Sequence, residues 1–474
     1  MFFRPDNISA CADVIPYYEN GKFYLFYLKD FRDFANVGEG CDWHLITTKN
    51  LVEFENIGEV IHRGNINEQD LYVYTGSVIK KDDEYYIFYT GHNPHFEKDN
   101  KPVQTVLLAK SKDLIHWEKD HTFVFGPDKD YLEKNDYRDP FILYDDEKQE
   151  YIMILTARNR NITLTQSKGM LLRARSKDLR EWKLDEKPFY APYAYYAHEC
   201  PDVFKIGDWW YLIFSEFSDR YQVTYRMAKS LDGEWITPKD PYFDGHAYYA
   251  AKSFSDGSRR FLFGWNPSKE RENDDAYWQW GGNMVVHELY QNADGTLSVK
   301  CPIEVRQHFN KQTEPEIEKV LGESHIGDSL VLKGSNGRTI LKYGKMMHQM
   351  RIEFDITPSS DRGDFGLFFN EKENHEYYYQ IKFDNLFTRL TFDKWPRYDR
   401  TKYSHVDAER PYSININEKN HVIVLIEGSV IEIYVNDKVA LSERMYNPGE
   451  NFGFYACNTD VSISDVKVYG GGNE

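Results

Sequence analysis

Three acidic residues stand where carboxylate chemistry would need them. Asp13 in ACADVIPYY, Asp139 in NDYRDPFILY and Glu199 in AHECPDVFKIG each precede an apolar, strand-like segment. Cleaving a glycosidic bond takes one carboxylic acid to protonate the departing oxygen. It also takes one carboxylate across the sugar, acting as nucleophile or as base to a water. Taken singly, each acid has an ordinary reading. Asp13 is a turn residue ahead of a strand, Asp139 half of a salt-bridged Arg-Asp-Pro turn, and Glu199 a strand-edge Glu in solvent. Together they share one place, the start of the strand that precedes an aromatic repeat, and that coincidence singles them out. Arg138 is placed to hold its neighbour Asp139 ionised. Tyr195, Tyr196 and Cys200 give Glu199 an apolar flank that would raise its pKa toward a general acid's. Tyr74, Thr75, Gly76 and Ser77 occupy the matching place in the second repeat and offer polar contacts to a substrate.

The elements that must position these groups are strands. An alternating aromatic and aliphatic unit recurs as GKFYLFYL at 21, DEYYIFYTG at 83, QEYIMILTA at 149, DWWYLIFSE at 208 and RRFLFGWN at 259. The copies start roughly 50 to 65 residues apart, the period of a four-stranded propeller blade with generous loops. A strand, tight turn and closing aromatic follow in most copies, as in AKSKDLIHW at 109 and ARSKDLREW at 174. The expectation is an all-β chain with a five-bladed β-propeller over residues 1–305. Its innermost strands converge on a central channel, so acids opening successive blades can face one another. Residues 306–323, acidic and polar, read as a linker, with one short helix over PEIEKV at 315–320. Residues 324–474, rich in period-two segments and Asn-Gly or Asn-Asp turns, read as a β-sandwich.

Composition narrows the partners. The formal charge of −18, from 76 acidic and 58 basic residues, opposes nucleic acid and anionic membranes. No apolar run is long enough for a spanning helix. Five scattered cysteines (Cys11, Cys41, Cys200, Cys301, Cys457) argue against a disulfide framework or a zinc site. His44, His198 and His287 lack metal-ligand spacing and read as packing or rim residues. The opening MFFRPDNISACADVIPYY has charges and a proline but no apolar core, so it does not read as a signal peptide. A cytoplasmic protein is the expectation, unless an export signal has been removed. Homo-oligomerisation is left open.

At these residues the chain resembles glycoside hydrolase family 32, the invertases, levanases, inulinases and sucrose-6-phosphate hydrolases, over essentially its whole length. YRDP at 137–140 matches the family's Arg-Asp-Pro motif, and HECPDVF at 198–204 its more specific Glu-Cys-Pro motif. DWHLITTKNLVEF looks like the Trp-Gly-His box, YTGSVI like the Phe-Ser-Gly-Ser box, and FLFGWN like a late Gly-Trp strand. The resemblance implies Asp13 as nucleophile, Glu199 as general acid/base and Asp139 as transition-state stabiliser. It also implies a sugar pocket lined by Trp43, Tyr74, Thr75, Arg138, Cys200 and Trp265, retention of configuration, and neither metal nor cofactor. Retention in turn sets an expected nucleophile-to-acid separation of about 5 to 5.5 Å.

The first motif departs from the family's Trp-Met-Asn-Asp-Pro-Asn-Gly and keeps only the Asp. Ala12 replaces a sugar-binding Asn, and Leu28 replaces a Gln after the first aromatic strand. A sugar hydroxyl left unpaired costs about 1 to 3 kcal/mol, so these losses bear on which glycone is accepted. A retaining, exo-acting hydrolase of β-fructofuranosides or a related furanoside is the leading expectation, with a disaccharide or oligosaccharide as partner. A fructosyltransferase or difructose anhydride-forming enzyme, an inverting arabinofuranosidase on a sister propeller, and a non-catalytic carbohydrate-binding propeller stand beside it.

Overall fold

The computed structural model describes residues 1–218, 220–372, 378–395 and 407–471. Strands dominate it, and the α-helices among the described residues are two short ones, Phe34–Val37 and Ile303–His308. The first 300 residues form five antiparallel up-and-down units. Each opens with one strand: β1 (Ala10–Glu19), β2 (Tyr72–Lys81), β3 (Leu132–Asp145), β4 (Glu199–Ile206) and β5 (Tyr249–Ser255). The aromatic repeats follow as Lys22–Asp30, Glu84–His92, Glu150–Asn159, Trp209–Glu216 and Arg260–Lys269.

These second strands are near-continuous apolar runs because both of their faces are buried. Leu25 and Tyr27 enter one apolar cluster while Phe26 and Leu28 enter another. Further strands add on by simple antiparallel pairing, two in each unit except the fourth, which adds one and is three-stranded. β1 pairs with the strand Trp278–Gln291 through Cys11 and Gly282, which merges the first and fifth units into one eight-stranded sheet. The opening strand of each unit also packs against that of the next, and β5 packs against β1. All five openings thus face a common interior.

Beyond Pro302 the chain builds two further sheets that share one apolar core. Met350, Ile352, Phe354 and Ile356 enter it from one sheet, and Phe365, Leu367 and Phe369 from the other. The period of two in those strands is what delivers one face of each to the same core. The run HVIVLIEG is apolar throughout for a further reason. Val422, Val424 and Ile426 point into this core, while Ile423 and Leu425 pack onto the first and fifth units. Arg444, 2% exposed, locks the same interface by donating to the carbonyls of Asn266 (2.9 Å) and Pro267 (2.5 Å) and to Asn283 Oδ1 (2.7 Å).

Two expectations are corrected here. Residues 306–323 are no linker, because Phe309–Thr313 pairs with Asp460–Gly471 and Ile317–Leu321 pairs with Arg338–Gly344. The helix expected over 315–320 is that second strand. Its six residues are too few to nucleate a helix unaided, whereas a sheet edge offers ladder partners at once. The parts of the 324–474 expectation that fall on 373–377, 396–406 and 472–474 lie outside the described residues.

Candidate active site

Every one of the five opening strands carries a register shift, near its start in four and mid-strand in β3. The shifts lie at Ala12/Ile15 in β1 and Tyr74/Gly76 in β2, opposite Ile154/Thr156 in β3, and at Glu199/Asp202 in β4 and Tyr249/Lys252 in β5. A bulge leaves one residue unpaired and re-aims its side chain, which is how a strand can present a group along its axis instead of to a sheet face. Asp13 (φ 40°), Asp139 (57°), Cys200 (50°) and Ala250 (50°) hold the left-handed conformation at four of these bulges. This corrects the expectation that the three acids share one position. Asp13 and Asp139 are equivalent, but Glu199 sits one residue earlier, level with Arg138 and Tyr249.

Hydrogen bonds from each neighbouring unit fasten the bulges. Thr90 Oγ1 donates to the Thr75 carbonyl (2.9 Å) and accepts from the Asp139 N–H (2.8 Å). Ser77 Oγ donates to the Pro140 carbonyl (3.0 Å), and Lys252 Nζ to that of Pro201 (2.8 Å). Pro140 and Pro201 suit such places because a bulge needs no ladder N–H from them. At Gly76 an added Cβ would meet the Phe88 carbonyl oxygen at 1.9 Å, so that bulge admits only glycine.

The three acids meet through shared partners. Asp13 Oδ2 accepts from Thr75 Oγ1 (2.6 Å) and Oδ1 from Trp265 Nε1 (3.1 Å). Cys200 links two of them: its N–H donates to Asp139 Oδ2 (2.9 Å) and its thiol lies 4.0 Å from Asp13 Oδ2. Arg138 joins the other pair, donating from Nη2 to Glu199 Oε1 (3.1 Å) with Nε 3.7 Å from Asp139 Oδ2. Tyr249 completes the set by donating its hydroxyl to Glu199 Oε2 (2.6 Å).

Burial pushes the Asp13 carboxyl up to about 7, with the nearby charges of Asp139 and Glu199 adding to the rise and the Thr75 and Trp265 hydrogen bonds opposing it. Burial likewise pushes Asp139 up to about 6, although Arg138 and the Cys200 N–H pull it down. The expectation that Arg138 simply holds Asp139 ionised is therefore corrected, since desolvation is the larger effect. The apolar flank expected for Glu199 is corrected too, because two donors serve that carboxylate directly. Burial raises the Cys200 thiol and the Tyr249 hydroxyl well above their usual ranges, so both stay protonated.

A cavity of about 420 Å³ opens over these groups. Asp13, Asp139, Glu199, Tyr74, Arg138 and Cys200 all border it. Trp43, Thr75 and Trp265 were expected on its wall and instead lie fully buried one layer behind. Thr75 and Trp265 hold Asp13, and Trp43 Nε1 donates to the Tyr74 carbonyl (3.1 Å). Tyr196, expected beside Glu199, also faces the cavity, while sequence reasoning passed over Gln104, Asp136, Phe217, Tyr221, Tyr249 and Trp280, which face it too. Tyr249 was findable, because it precedes the fifth aromatic strand at nearly the spacing by which Glu199 precedes the fourth. His44, His198 and His287 occupy three separate surroundings, and none borders the cavity. His198 sits within a box of Tyr190, Tyr195 and Phe214 rings, and His287 bonds Asp244 in its own part of the chain and Tyr434 across the interface with the other.

Comparison with known proteins adds to this geometry. The model for the glycosyl hydrolases family 32 N-terminal domain matches residues 15–298, and that for the family 32 C terminal matches residues 312–470. The first match begins two residues past Asp13, so Asp13 and most of the altered first motif fall outside it. A sucrose-6-phosphate hydrolase of Escherichia coli is 23% identical over 445 residues, covering 90% of this chain and 84% of its own. A raffinose invertase of the same organism is 21% identical over 480 residues, covering 95% and 90%. Among solved structures, fructan 1-exohydrolase IIa from Cichorium intybus superposes with a TM-score of 0.75 at 18% identity, over 100% of this chain and 97% of that one. A variant of that protein has been solved in complex with 1-kestose.

Proposed function

The chain belongs to glycosyl hydrolase family 32 and is a glycosidase, and from that premise we propose that it is a retaining, exo-acting hydrolase of β-fructofuranosides. The five units are read as the blades of a propeller and the two C-terminal sheets as a β-sandwich, with the boundary between Pro302 and Phe309. The observation that carries the reading is the meeting of Asp13, Asp139 and Glu199 at one cavity through Arg138 and Cys200. A cavity of that volume suits a sugar and its immediate neighbour, as exo-action needs. The relatives named for sucrose-6-phosphate, raffinose and fructan point to fructofuranosides.

In this reading an Asp13 oxygen attacks the anomeric carbon as the bond to the leaving oxygen breaks. The electron pair of that bond goes to the departing oxygen, which takes the proton from Glu199. Water then attacks the same carbon, the Glu199 carboxylate takes its proton, and the ester bond to Asp13 breaks to restore the enzyme. Two displacements give net retention. Asp139 and Arg138 hold sugar hydroxyls, and hydrogen bonds that tighten as charge develops at the ring favour the transition state. Tyr249 keeps Glu199 aimed at the leaving group.

The test is hydrolysis of sucrose, 1-kestose and inulin in water containing methanol. The expected products are free fructose and methyl β-fructofuranoside. The methyl α-anomer, or release of arabinose from aryl arabinofuranosides alone, would overturn the reading.

The acidic limb of the pH profile follows from burial. Asp13 must be ionised to attack, so kcat/KM rises with pH through the coupled titration of Asp13 and Asp139 between about pH 6 and 7. Thr75→Val removes the donor that opposes the upward shift of Asp13. Its limb is expected about one pH unit higher, the equivalent of one hydrogen bond to a charged group. An unmoved or lowered limb would show that Asp13 is not the group titrating there.

A further inference from the structure

Tyr196, three residues before Glu199, and Phe217, the residue after the strand Trp209–Glu216, form an aromatic surface at the cavity. Tyr196 and Phe217 both border it, their rings 5.2 Å apart at 48°, and Phe217 is 38% exposed. Two aromatic rings together at a cavity mouth are the kind of apolar surface that marks a ligand site. The backbone beneath Tyr196 is clamped: the Gly169 N–H donates to the Tyr195 carbonyl (3.0 Å), Arg158 Nε to the Tyr196 carbonyl (3.1 Å), and the Tyr196 N–H to Ser218 Oγ (3.2 Å). The Arg158 guanidinium also lies 3.5 Å from the centroid of the Tyr196 ring. Arg158 is 4% exposed and continues into the catalytic group: Nη1 pairs with Asp136 (3.0 Å), and Asp136 pairs with Arg138 (2.6 Å), the arginine that holds Glu199. Ring and acid are therefore parts of one rigid network.

We propose that Tyr196 and Phe217 are the platform on which the leaving sugar stacks, and that this sugar is neutral and not phosphorylated. The proposal rests on the reading of Glu199 as the acid, because the leaving group departs on the acid's side. Aromatic faces match the C–H faces of a pyranose or furanose ring and leave its hydroxyls free at the edge. Gln104 and Asp136 border the cavity and can receive them. The exclusion of phosphate follows from charge. Among the described cavity residues four are carboxylates and one is cationic, Arg138, which already serves Asp136, Asp139 and Glu199. Behind the platform Arg158 and Lys168 are committed to Glu133 and Asp136. A phosphate dianion on the leaving sugar would meet net negative charge there and, among the described residues, no free cation lining the cavity.

The experiment compares sucrose, 1-kestose, sucrose 6-phosphate and β-fructofuranosyl fluoride, whose leaving group is no sugar, for wild type, Tyr196→Ala, Tyr196→Phe and Phe217→Ala. Each alanine variant is expected to lose about tenfold in kcat/KM on sucrose and 1-kestose, to stay within about twofold of wild type on the fluoride, and Tyr196→Phe to behave as wild type. Wild type is expected to favour sucrose over its 6-phosphate by at least about tenfold, the size of one unscreened like-charge contact. Equal losses on the fluoride and the sugars, unaltered sugar kinetics in both alanine variants, or a preference for the phosphorylated sugar would overturn the platform. A wild-type enzyme that leaves the fluoride untouched overturns the parent reading, and the platform with it.

Discussion

Replacing Asp13 with Asn lowers turnover of sucrose by about ten-thousand-fold or more, the scale on which removal of a covalent nucleophile acts. The substitution is nearly isosteric. Its Oδ1 still accepts from Trp265 Nε1, and its amide donates to Thr75 Oγ1 where the carboxylate accepted from it. The loss therefore reports chemistry and not a collapsed site. Stability supplies an independent check, with the opposite sign. The folded carboxyl of Asp13 titrates near 7 and the unfolded one near 3.8. Its protonation thus favours the fold, a contribution fully present below about pH 4 and lost as the pH rises through 7. Asn is neutral at every pH. Thermal unfolding should show the variant melting above wild type at pH 8, with the gap closing toward pH 4. A variant both inactive and less stable at pH 8 would mean that Asn disrupts the bulge, and Asp13 would lose its claim to be the nucleophile.

Glu199→Gln has the second largest effect, and that effect depends on the leaving group. With sucrose the departing oxygen needs a proton, and kcat falls by about a hundredfold to ten-thousand-fold, the usual contribution of a positioned acid. With β-fructofuranosyl fluoride the first displacement needs little help, so the burst of fluoride survives. Hydrolysis of the intermediate is slow because no base activates water. Azide, which needs no base, should restore turnover and give β-fructofuranosyl azide. Gln can keep both contacts that hold Glu199, its amide oxygen accepting from Arg138 and its NH2 donating to the Tyr249 hydroxyl. Equal loss on both substrates, with no rescue by azide, would remove Glu199 from the acid's role.

Much of this site was legible because each acid precedes an aromatic strand, and the aromatic strands repeat. Arg-Asp-Pro and Glu-Cys-Pro also carry their own structural logic, a left-handed residue followed by a proline that needs no ladder bond. The bulges themselves were not legible. A one-residue register shift leaves no mark on composition, so Glu199 seemed level with Asp139 when it is level with Arg138. Trp43, Thr75 and Trp265 were placed one layer too far forward, since residue type does not distinguish a ring that touches ligand from one that supports the wall. PEIEKV and the leucine that follows it have helical spacing at Ile317, Val320 and Leu321, but strand partners at Arg338–Gly344 override so short a pattern. Thr90, Ser77 and Lys252, which fasten the bulges, come from neighbouring strands and could be assigned only once those strands were paired.

In the proposed reaction Asp13 becomes covalently bonded to the sugar, although it lies outside the span that the family model matches. The direct measurement is mass spectrometry of Glu199→Gln quenched in acid during turnover of β-fructofuranosyl fluoride, followed by peptide mapping. One hexose adduct per chain is expected, on the peptide that carries Asp13, absent from the Asp13→Asn, Glu199→Gln double variant. An adduct on another carboxylate, or full fluoride release with no adduct in Glu199→Gln, would contradict it.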